Sequence, residues 1–185
     1  MVAAVGPPAI RPPLDGYLLA VCRSIAFQQL AGRAAAAIFG RFLANFPDGL
    51  TPAAVAALPD EAFKAAGLSA AKTASLRDLA ARVLDGTVPL AGIEAYPDDE
   101  IVARLSTVRG IGRWTAEMFL IFQLRRPDVW PVDDFAVRKG FGIIQGLPEA
   151  PKPKALLARG DLYRPWRTIA AWYCWRATDT VLPES

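Results

Sequence analysis

The chain contains no histidine among its 185 residues and only two cysteines. The absence of histidine excludes catalysis by a Ser–His or Cys–His pair, and it excludes zinc sites built on imidazole. The two cysteines, Cys22 and Cys174, lie far apart among apolar neighbours and fit no metal-ligand spacing. We therefore predict two buried thiols. Any catalysis is left to carboxylates, lysine, tyrosine or backbone groups.

Long apolar runs are also missing. The longest, such as Met118–Phe122, are far too short to cross a bilayer, which takes about 20 residues. The first residues lack the basic start and the long apolar stretch of a signal peptide. The sequence therefore predicts a soluble, cytoplasmic protein.

The charge balance is modest, with a formal net charge of +3 and a pI of about 9.1. This balance mildly favours a phosphate-rich partner, but it is weak evidence by itself. Hydrophobic residues make up 53% of the chain, which is enough to build one compact domain or two small lobes. No low-complexity tract or clear internal repeat interrupts the sequence.

The spacing of apolar residues predicts an all-α fold of nine or ten helices, because no stretch keeps the strict alternation of a strand. Residues 1–13 are proline-rich and predicted to be irregular, and a helical segment at 14–46 is predicted to break near 28–32. Helix starts are expected at Thr51, Pro59, Ser69 and Pro97, and helix ends near Gly67 and Gly86. Further helices are expected at about 114–124, 134–141, 152–159 and 166–177, with 142–146 closing the second of these.

The most informative stretch is 105–116, which reads Leu-Ser-Thr-Val-Arg-Gly-Ile-Gly-Arg-Trp-Thr-Ala. Gly110 and Gly112 permit a tight turn, and Ile111 between them is predicted to anchor that turn in the core. The helix that follows presents its first N–H groups to an anion such as a DNA phosphate. This is the helix–hairpin–helix pattern, a grip on the DNA backbone that does not read sequence. A bare Gly-x-Gly could equally be a tight turn between two helices.

Two adjacent acids, Asp133 and Asp134, stand at the start of a predicted short helix, and Asp134 follows Gly112 by 22 residues. Acids at a helix start can simply cap the helix and complement its dipole. Because adjacent residues on a helix face different ways, one acid can cap while the other points into a cleft.

Taken with the hairpin, the segment Trp130-Pro-Val-Asp-Asp-Phe-Ala-Val-Arg-Lys-Gly140 resembles the helix–hairpin–helix DNA glycosylase superfamily. The closer likeness is to its alkylpurine (3-methyladenine) DNA glycosylase II branch. Three further segments resemble motifs of that branch in the same order, and the likeness extends from about residue 14 to residue 180. They are Ser24–Leu30 with its Gln-Gln pair, Lys72–Leu79, and Arg164–Trp175 with its Pro-Trp-Arg.

The resemblance implies an all-α, two-lobed fold with the base pocket between the lobes. Residues 1–185 would form one helix–hairpin–helix glycosylase domain, with the hairpin at about 105–116. Longer members of the family carry an extra N-terminal lobe that is mostly β. This chain starts almost at the entry helix, so no separate lobe of that kind is expected.

In function, the resemblance implies a monofunctional DNA glycosylase of base excision repair. Such an enzyme flips an alkylated purine, of the 3-methyladenine or 7-methylguanine type, out of double-stranded DNA and removes it by hydrolysis. The catalytic carboxylate maps onto Asp134, with Asp133 as a fallback that would rather cap or orient. Members with lyase activity carry a lysine at the position of Trp114, so no lyase activity is expected.

The expected site has two sets of residues. The base pocket is assigned to Gln28, Gln29, Trp114, Met118, Phe135 and Trp175, whose aromatic rings would stack on an electron-poor base and whose glutamines would read its edge or fill its gap. The DNA backbone is assigned to Arg109, Gly110, Gly112, Arg113, Thr115 and Lys139, with Arg138, Arg164 and Arg167 as further candidates. We expect no required metal and no organic cofactor, a monovalent cation at the hairpin carbonyls, and a monomer.

Two alternatives stay open. The chain could be a hairpin module that binds DNA without chemistry, although Asp134 and the Gln28–Gln29 pair argue against this. It could also be a glycosylase of the same fold for oxidised bases or mismatched adenine. The missing lysine at Trp114 and the lack of a cysteine cluster for an iron–sulfur centre argue against that second alternative.

Overall fold

A computed structural model describes residues 2–179, and over this range the secondary structure is helical and contains no strand. The predicted all-α fold is therefore confirmed. Met1 and residues 180–185, which belong to the predicted domain 1–185, lie outside the described residues. None of the helices in the described range is both long and apolar enough to cross a membrane.

The described residues form eleven α-helices, one more than the upper expectation. The additional one is α1, which lies in a segment that was predicted to be irregular. The helices are α1 (Val2–Val5), α2 (Tyr17–Phe27), α3 (Gly32–Leu43), α4 (Pro52–Ala57), α5 (Asp60–Ala66), α6 (Ala70–Leu84), α7 (Asp98–Leu105), α8 (Arg113–Phe122), α9 (Phe135–Ile144), α10 (Pro153–Arg159) and α11 (Arg167–Asp179). Short 3₁₀ turns occupy Ile93–Ala95 and Gly160–Tyr163.

Local signals set most of the helix boundaries. The side chain of Thr51 caps α4 by accepting a hydrogen bond from Ala54 N at 3.1 Å, and Ser69 caps α6 by accepting one from Lys72 N at 3.3 Å. The α5 helix ends at Gly67, whose φ of 92° places it in the left-handed region that favours glycine. These boundaries agree with the sequence-based predictions.

The chain divides into two compact units. The hairpin unit comprises Leu14–Phe119, and the carboxylate unit comprises the described residues of Met1–Pro13 and Leu120–Ser185. In the hairpin unit, α6 packs against α2 and α4, and α3 packs against α2 and α5. Its core contains fully buried Phe42 and Phe63, whose rings stack with centroids 5.8 Å apart. The hairpin between α7 and α8 belongs to the same unit.

The carboxylate unit is organised by the packing of α9 on α11. Its core cluster consists of the buried residues Trp130, Val137, Phe141, Leu156, Ala171 and Cys174. Gly140 of α9 lies against the backbone of α11, where a Cβ atom would overlap the carbonyl group of Cys174. The two helices therefore approach at a distance that only glycine allows at this position.

The end of α9 lies within the segment 142–146 that was predicted to close it, because the helix continues to Ile144 and has Gln145 as its C-cap. Gly142 lies inside the helix and packs close to the Glu149 carbonyl, to which a Cβ would come within 3.2 Å. The left-handed residue is Gly146, with a φ of 62°, which follows the end of the helix.

Candidate active site

The hairpin between α7 and α8 contains a tight turn at 108–111. Ile111 N donates a hydrogen bond to Val108 O at 3.0 Å, and the third residue of the turn, Gly110, has a φ of 77°. A four-residue turn with a left-handed third residue favours glycine there. Val108 and Ile111 are both buried, which confirms that Ile111 anchors the turn in the core.

Helix α8 begins directly after the turn. Its first helical hydrogen bond runs from Ala116 N to Gly112 O at 3.1 Å. The N–H groups of the residues just before Ala116 are therefore those for which an α-helix supplies no carbonyl of its own. Arg113 at this start pairs with Glu117 at 2.9 Å, which offsets part of its charge. Trp114 is 46% exposed, whereas Thr115 and Met118 are half-buried.

The two glutamines follow the end of α2. The side chain of Gln28 contacts the hairpin, because its Nε2 donates a hydrogen bond to Gly110 O at 2.9 Å. Gln29 is exposed and has a φ of 57°, a conformation that is uncommon for residues other than glycine. The structure thus brings Gln28 to the hairpin within the hairpin unit and leaves Gln29 exposed beside it in the chain.

In the carboxylate unit, Asp134 is the N-cap of α9. Its Oδ1 accepts hydrogen bonds from Val137 N at 2.9 Å and from the indole Nε1 of Trp175 at 3.2 Å. The residue is 8% exposed, so the carboxylate is both buried and held in one orientation. The expectation that Asp133 would take the capping role is wrong: Asp133 is exposed, and the cap is Asp134 itself.

Within its own unit, this carboxylate is bonded to the aromatic Trp175 and is followed in the chain by the aromatic Phe135. The ring of Trp175 stacks on Phe122, with centroids 5.6 Å apart and an interplanar angle of 24°. Phe135, the first residue of α9, is 63% exposed, and the guanidinium of Arg138 lies over its ring at 5.4 Å. A buried carboxylate can stabilise positive charge, and exposed aromatic rings can stack on a flat base. The contribution of Phe122 was not predicted from the sequence.

Two arginines that had been candidates for the DNA face are engaged elsewhere. Arg167 donates to the Asp128 carboxylate through Nε at 2.7 Å and Nη2 at 2.9 Å. Arg164 donates to Asp128 at 2.9 Å and to Asp161 at 2.9 Å. Their charges are already compensated by acids of the same unit, so their assignment to the DNA backbone is not supported. Lys139 is exposed on α9 and stays a candidate.

Asp128 is the centre of that arginine cluster. The side-chain hydrogen bonds from Arg167 are the main cause that holds the pKa of the Asp128 carboxyl below its ordinary value. Partial burial acts in the opposite direction, while the backbone N–H of Arg167 and the charges of both arginines lower the pKa further. The carboxyl is therefore ionised throughout the neutral range and ties the start of α11 to the loop that contains Asp128.

We expect Asp128→Asn to lower the free energy of unfolding at pH 7 by about 2 kcal/mol, because it leaves Arg167 without its acid and Arg164 with Asp161 alone. A folded-state pKa that is depressed gives stability above the ordinary aspartate pKa of about 4, and that stability is lost as the pH falls through the folded value. Denaturant titrations from pH 7 to pH 3 should therefore show the difference shrinking towards zero. A difference independent of pH would contradict this, and Asp161→Asn, at an exposed pair, is the control.

Both cysteines are buried, as predicted. Cys22 is 0% exposed and Cys174 is 2% exposed. Burial raises the pKa of Cys22 to about 12. Burial, together with the nearby charge of Asp134, also raises the pKa of Cys174 to about 12. Neither thiol belongs to a cluster that could hold a metal ion within the described residues.

Known proteins resemble this chain in sequence and in fold. The family model described as "HhH-GPD superfamily base excision DNA repair protein" matches residues 22–165, which contain the Gln-Gln pair, the hairpin and Asp134. The chain is also similar to the DNA-3-methyladenine glycosylase 1 of Schizosaccharomyces pombe. The two are 39% identical over 159 residues, which cover 84% of this chain and 70% of that protein.

The chain is also similar to solved structures of DNA glycosylases. One is a Schizosaccharomyces pombe 3-methyladenine DNA glycosylase (Mag1) in complex with abasic DNA, with a TM-score of 0.83 and 36% identity over 97% of this chain and 90% of that one. Another is a DNA-3-methyladenine glycosidase from Bacillus halodurans, with a TM-score of 0.85 and 31% identity over 93% of this chain and 80% of that one.

Proposed function

This chain belongs to the HhH-GPD superfamily of base excision DNA repair proteins, and on that basis we propose that it is a monofunctional DNA glycosylase of the alkylpurine type II branch. Its substrates would be purines of the 3-methyladenine and 7-methylguanine type in double-stranded DNA. The names of its relatives, 3-methyladenine glycosylases in yeast and bacteria, support this substrate class. The abasic DNA bound to one of them is the product that such a reaction leaves.

The observation that carries the proposal is the state of Asp134. It is buried, and its Oδ1 accepts hydrogen bonds from Val137 N and Trp175 Nε1. These bonds set the orientation of the carboxylate, to which we assign the chemistry. A charge fixed before the substrate arrives needs no reorganisation during the reaction, and this makes it effective in catalysis.

In the proposed reaction, the bond between C1′ of the deoxyribose and the purine nitrogen breaks. The bonding electrons leave with the base, and they neutralise the positive charge that alkylation has placed on it. Positive charge then develops on the sugar, where the Asp134 carboxylate stabilises it. A water molecule adds to C1′ and gives up a proton to the carboxylate. The products are the free base and an abasic site.

The target base must leave the DNA stack to reach the carboxylate, at a cost of a few kcal/mol. The exposed rings of Trp114 and Phe135 and the indole of Trp175 are proposed to offset that cost by stacking on the electron-poor base. Gln29, exposed and adjacent in sequence to Gln28, is proposed to enter or read the gap that the base leaves. Met118 is proposed as an apolar wall.

The hairpin is proposed to hold a DNA phosphate at the start of α8, where the first N–H groups of the helix point outward. Gly110 and Gly112 let the backbone approach, and Arg109, Arg113 and Thr115 lie beside them. Backbone carbonyls of the turn suit a monovalent cation that bridges to the phosphate. Those of Val108 and Gly110 already accept hydrogen bonds, so such a cation would rest mainly on the other carbonyls.

No lyase activity is proposed, because Trp114 stands where the lyase members carry a lysine. No organic cofactor is needed for hydrolysis of a base that already carries positive charge. We further propose that the protein acts as a monomer in the cytoplasm.

The direct test is base release from duplex DNA treated with a methylating agent. We expect free 3-methyladenine in the supernatant and an intact strand until alkali is added. Binding without any base release would favour the DNA-binding module, and release of 8-oxoguanine alone would favour the other glycosylase classes. Strand cleavage without alkali would contradict the monofunctional assignment.

Trp175→Phe isolates the indole hydrogen bond to Asp134, because phenylalanine keeps an aromatic ring beside Phe122. We expect the rate of base release at saturating enzyme to fall about 10-fold, since a hydrogen bond to a charged group is lost. The affinity for a duplex with an abasic-site analogue, which has no base to stack on the ring, should stay unchanged. Trp172→Phe on the same helix, whose indole bonds to Ala9 O instead, is the matched control and should retain the wild-type rate. Equal rates in the two variants would contradict a positioning role for Trp175.

A further inference from the structure

The hairpin turn is held from outside by two side chains of the hairpin unit. Asp78 of α6 accepts a hydrogen bond from Arg109 N through Oδ2 at 2.7 Å. Gln28, after α2, donates from Nε2 to Gly110 O at 2.9 Å. The two bonded peptide groups flank the peptide that joins Arg109 to Gly110, so the turn is fixed on both sides of its centre.

A third contact with α6 is steric. Gly110 lies over Ser75 so closely that a Cβ would come within 2.8 Å of Ser75 Oγ. The same face of α6 also reaches α2, because Lys72 Nζ donates to Ala26 O at 2.7 Å. Positions 72, 75 and 78 follow the spacing of one helical face. One face of α6 therefore supports both the hairpin turn and the end of α2 that leads into the Gln-Gln pair.

Asp78 places a negative charge beside a segment that is proposed to bind phosphate. Partial burial would raise the pKa of this carboxyl, but the hydrogen bonds from Arg109 N and Arg82 and the charges of both arginines hold it below its ordinary value. The group is therefore ionised at neutral pH. By charge alone it opposes DNA binding, since like charges repel. Its bond to the hairpin gives a physical reason for an acid at this place.

We propose that Asp78, with Gln28, is a positioning residue that holds the hairpin turn in its DNA-binding conformation. The proposal rests on the proposed function of the hairpin as a phosphate grip. By charge alone, removing the acid should strengthen DNA binding. The proposal predicts the opposite, that removing the acid weakens DNA binding. The effect should appear in the affinity for DNA and not in the chemical step, because Asp78 lies in the hairpin unit and the Asp134 carboxylate lies in the other.

The test measures the fluorescence anisotropy of a labelled duplex with a tetrahydrofuran abasic-site analogue, together with single-turnover base release at saturating enzyme. For Asp78→Ala we expect Kd to rise about 10-fold, the loss expected for a hydrogen bond to a charged group. The release rate should stay within about twofold, since the carboxylate and its partners are untouched. Asp78→Asn keeps the shape and one oxygen acceptor, and it should fall between wild type and Asp78→Ala.

Asp60→Ala is the charge-matched control. Asp60 also pairs with an arginine of α6, Arg77 at 2.6 Å, but it makes no bond to the hairpin. It should bind DNA as tightly as wild type or slightly more tightly. If both Asp78 variants match Asp60→Ala, the positioning role is overturned. A wild-type chain that binds no DNA refutes the proposed function itself, and this inference with it.

Discussion

Asp134→Asn is expected to slow base release by about 10²- to 10³-fold or more, the loss found when a single preorganised group that stabilises the transition state is removed. Asparagine is as good an N-cap as aspartate, so the bond from Val137 N to the side-chain oxygen can persist. The indole of Trp175 can still donate to that oxygen. The substitution therefore removes the charge and leaves the structural roles in place.

The measurement is single-turnover release of 3-methyladenine, with DNA affinity and thermal unfolding as parallel readouts. DNA affinity should be retained or slightly improved, because a negative charge is lost. Asp133→Asn, at the exposed neighbour, is the control and should leave the rate unchanged. If Asp134→Asn releases base at the wild-type rate, the catalytic assignment fails. If Asp133→Asn alone is inactive, the acid has been assigned to the wrong residue of the pair.

Gly140→Ala is expected to destabilise the carboxylate unit by about 3 kcal/mol or more, as overpacking against rigid groups does. A Cβ at this position would overlap the carbonyl of Cys174, and its carbon would lie 2.8 Å from the Cα of that residue. The obstacle is the backbone of α11, which cannot move aside as a side chain can. In a chain of this length, such a loss lowers the melting temperature by roughly 6–12 °C.

The effect should extend to activity, because α9 carries Asp134 at its start and α11 carries Trp175. Gly40→Ala in α3 is the matched control: it is also a helical glycine, but a Cβ there would meet no atom within 4 Å beyond its own stretch of helix. That variant should be neutral or stabilised by up to about 1 kcal/mol, since alanine is the better helix former. The measurements are the melting temperature and the rate of base release of the two variants. Equal melting curves would contradict the close approach of α9 and α11.

What could be predicted from the sequence depended on how local the signal was. The caps at Thr51 and Ser69 and the left-handed Gly67 were predicted correctly, because each depends on atoms within a few residues. The turn at Gly110 and the burial of Ile111 were predicted for the same reason.

The failures involve distant partners. Asp133 and Asp134 are chemically identical, and Trp175, 41 residues away, is one of the contacts that distinguish them. The close packing of Gly142 against the Glu149 carbonyl is likewise not revealed by periodicity. Asp78 was missed because its partner is a backbone N–H of the hairpin, which leaves no trace in residue type.

The arginines show the same limit. Arg164 and Arg167 were candidates for DNA because positive charge favours phosphate, but Asp128, 36 and 39 residues away, binds both. The number of charges in a sequence does not show which acid each arginine pairs with. The position of the base-pocket residues relative to the hairpin is likewise a matter of tertiary structure, and their roles stay predictions.

The two buried thiols have a consequence for survival under chemical stress. Reagents that methylate purines also attack thiolates, since the ionised sulfur is the nucleophile. Cys22 and Cys174 are buried and have a pKa of about 12, so almost no thiolate forms at physiological pH. The chain also has no imidazole to react. Neither cysteine nor histidine therefore offers an easy target to the same class of reagent that creates the proposed substrate.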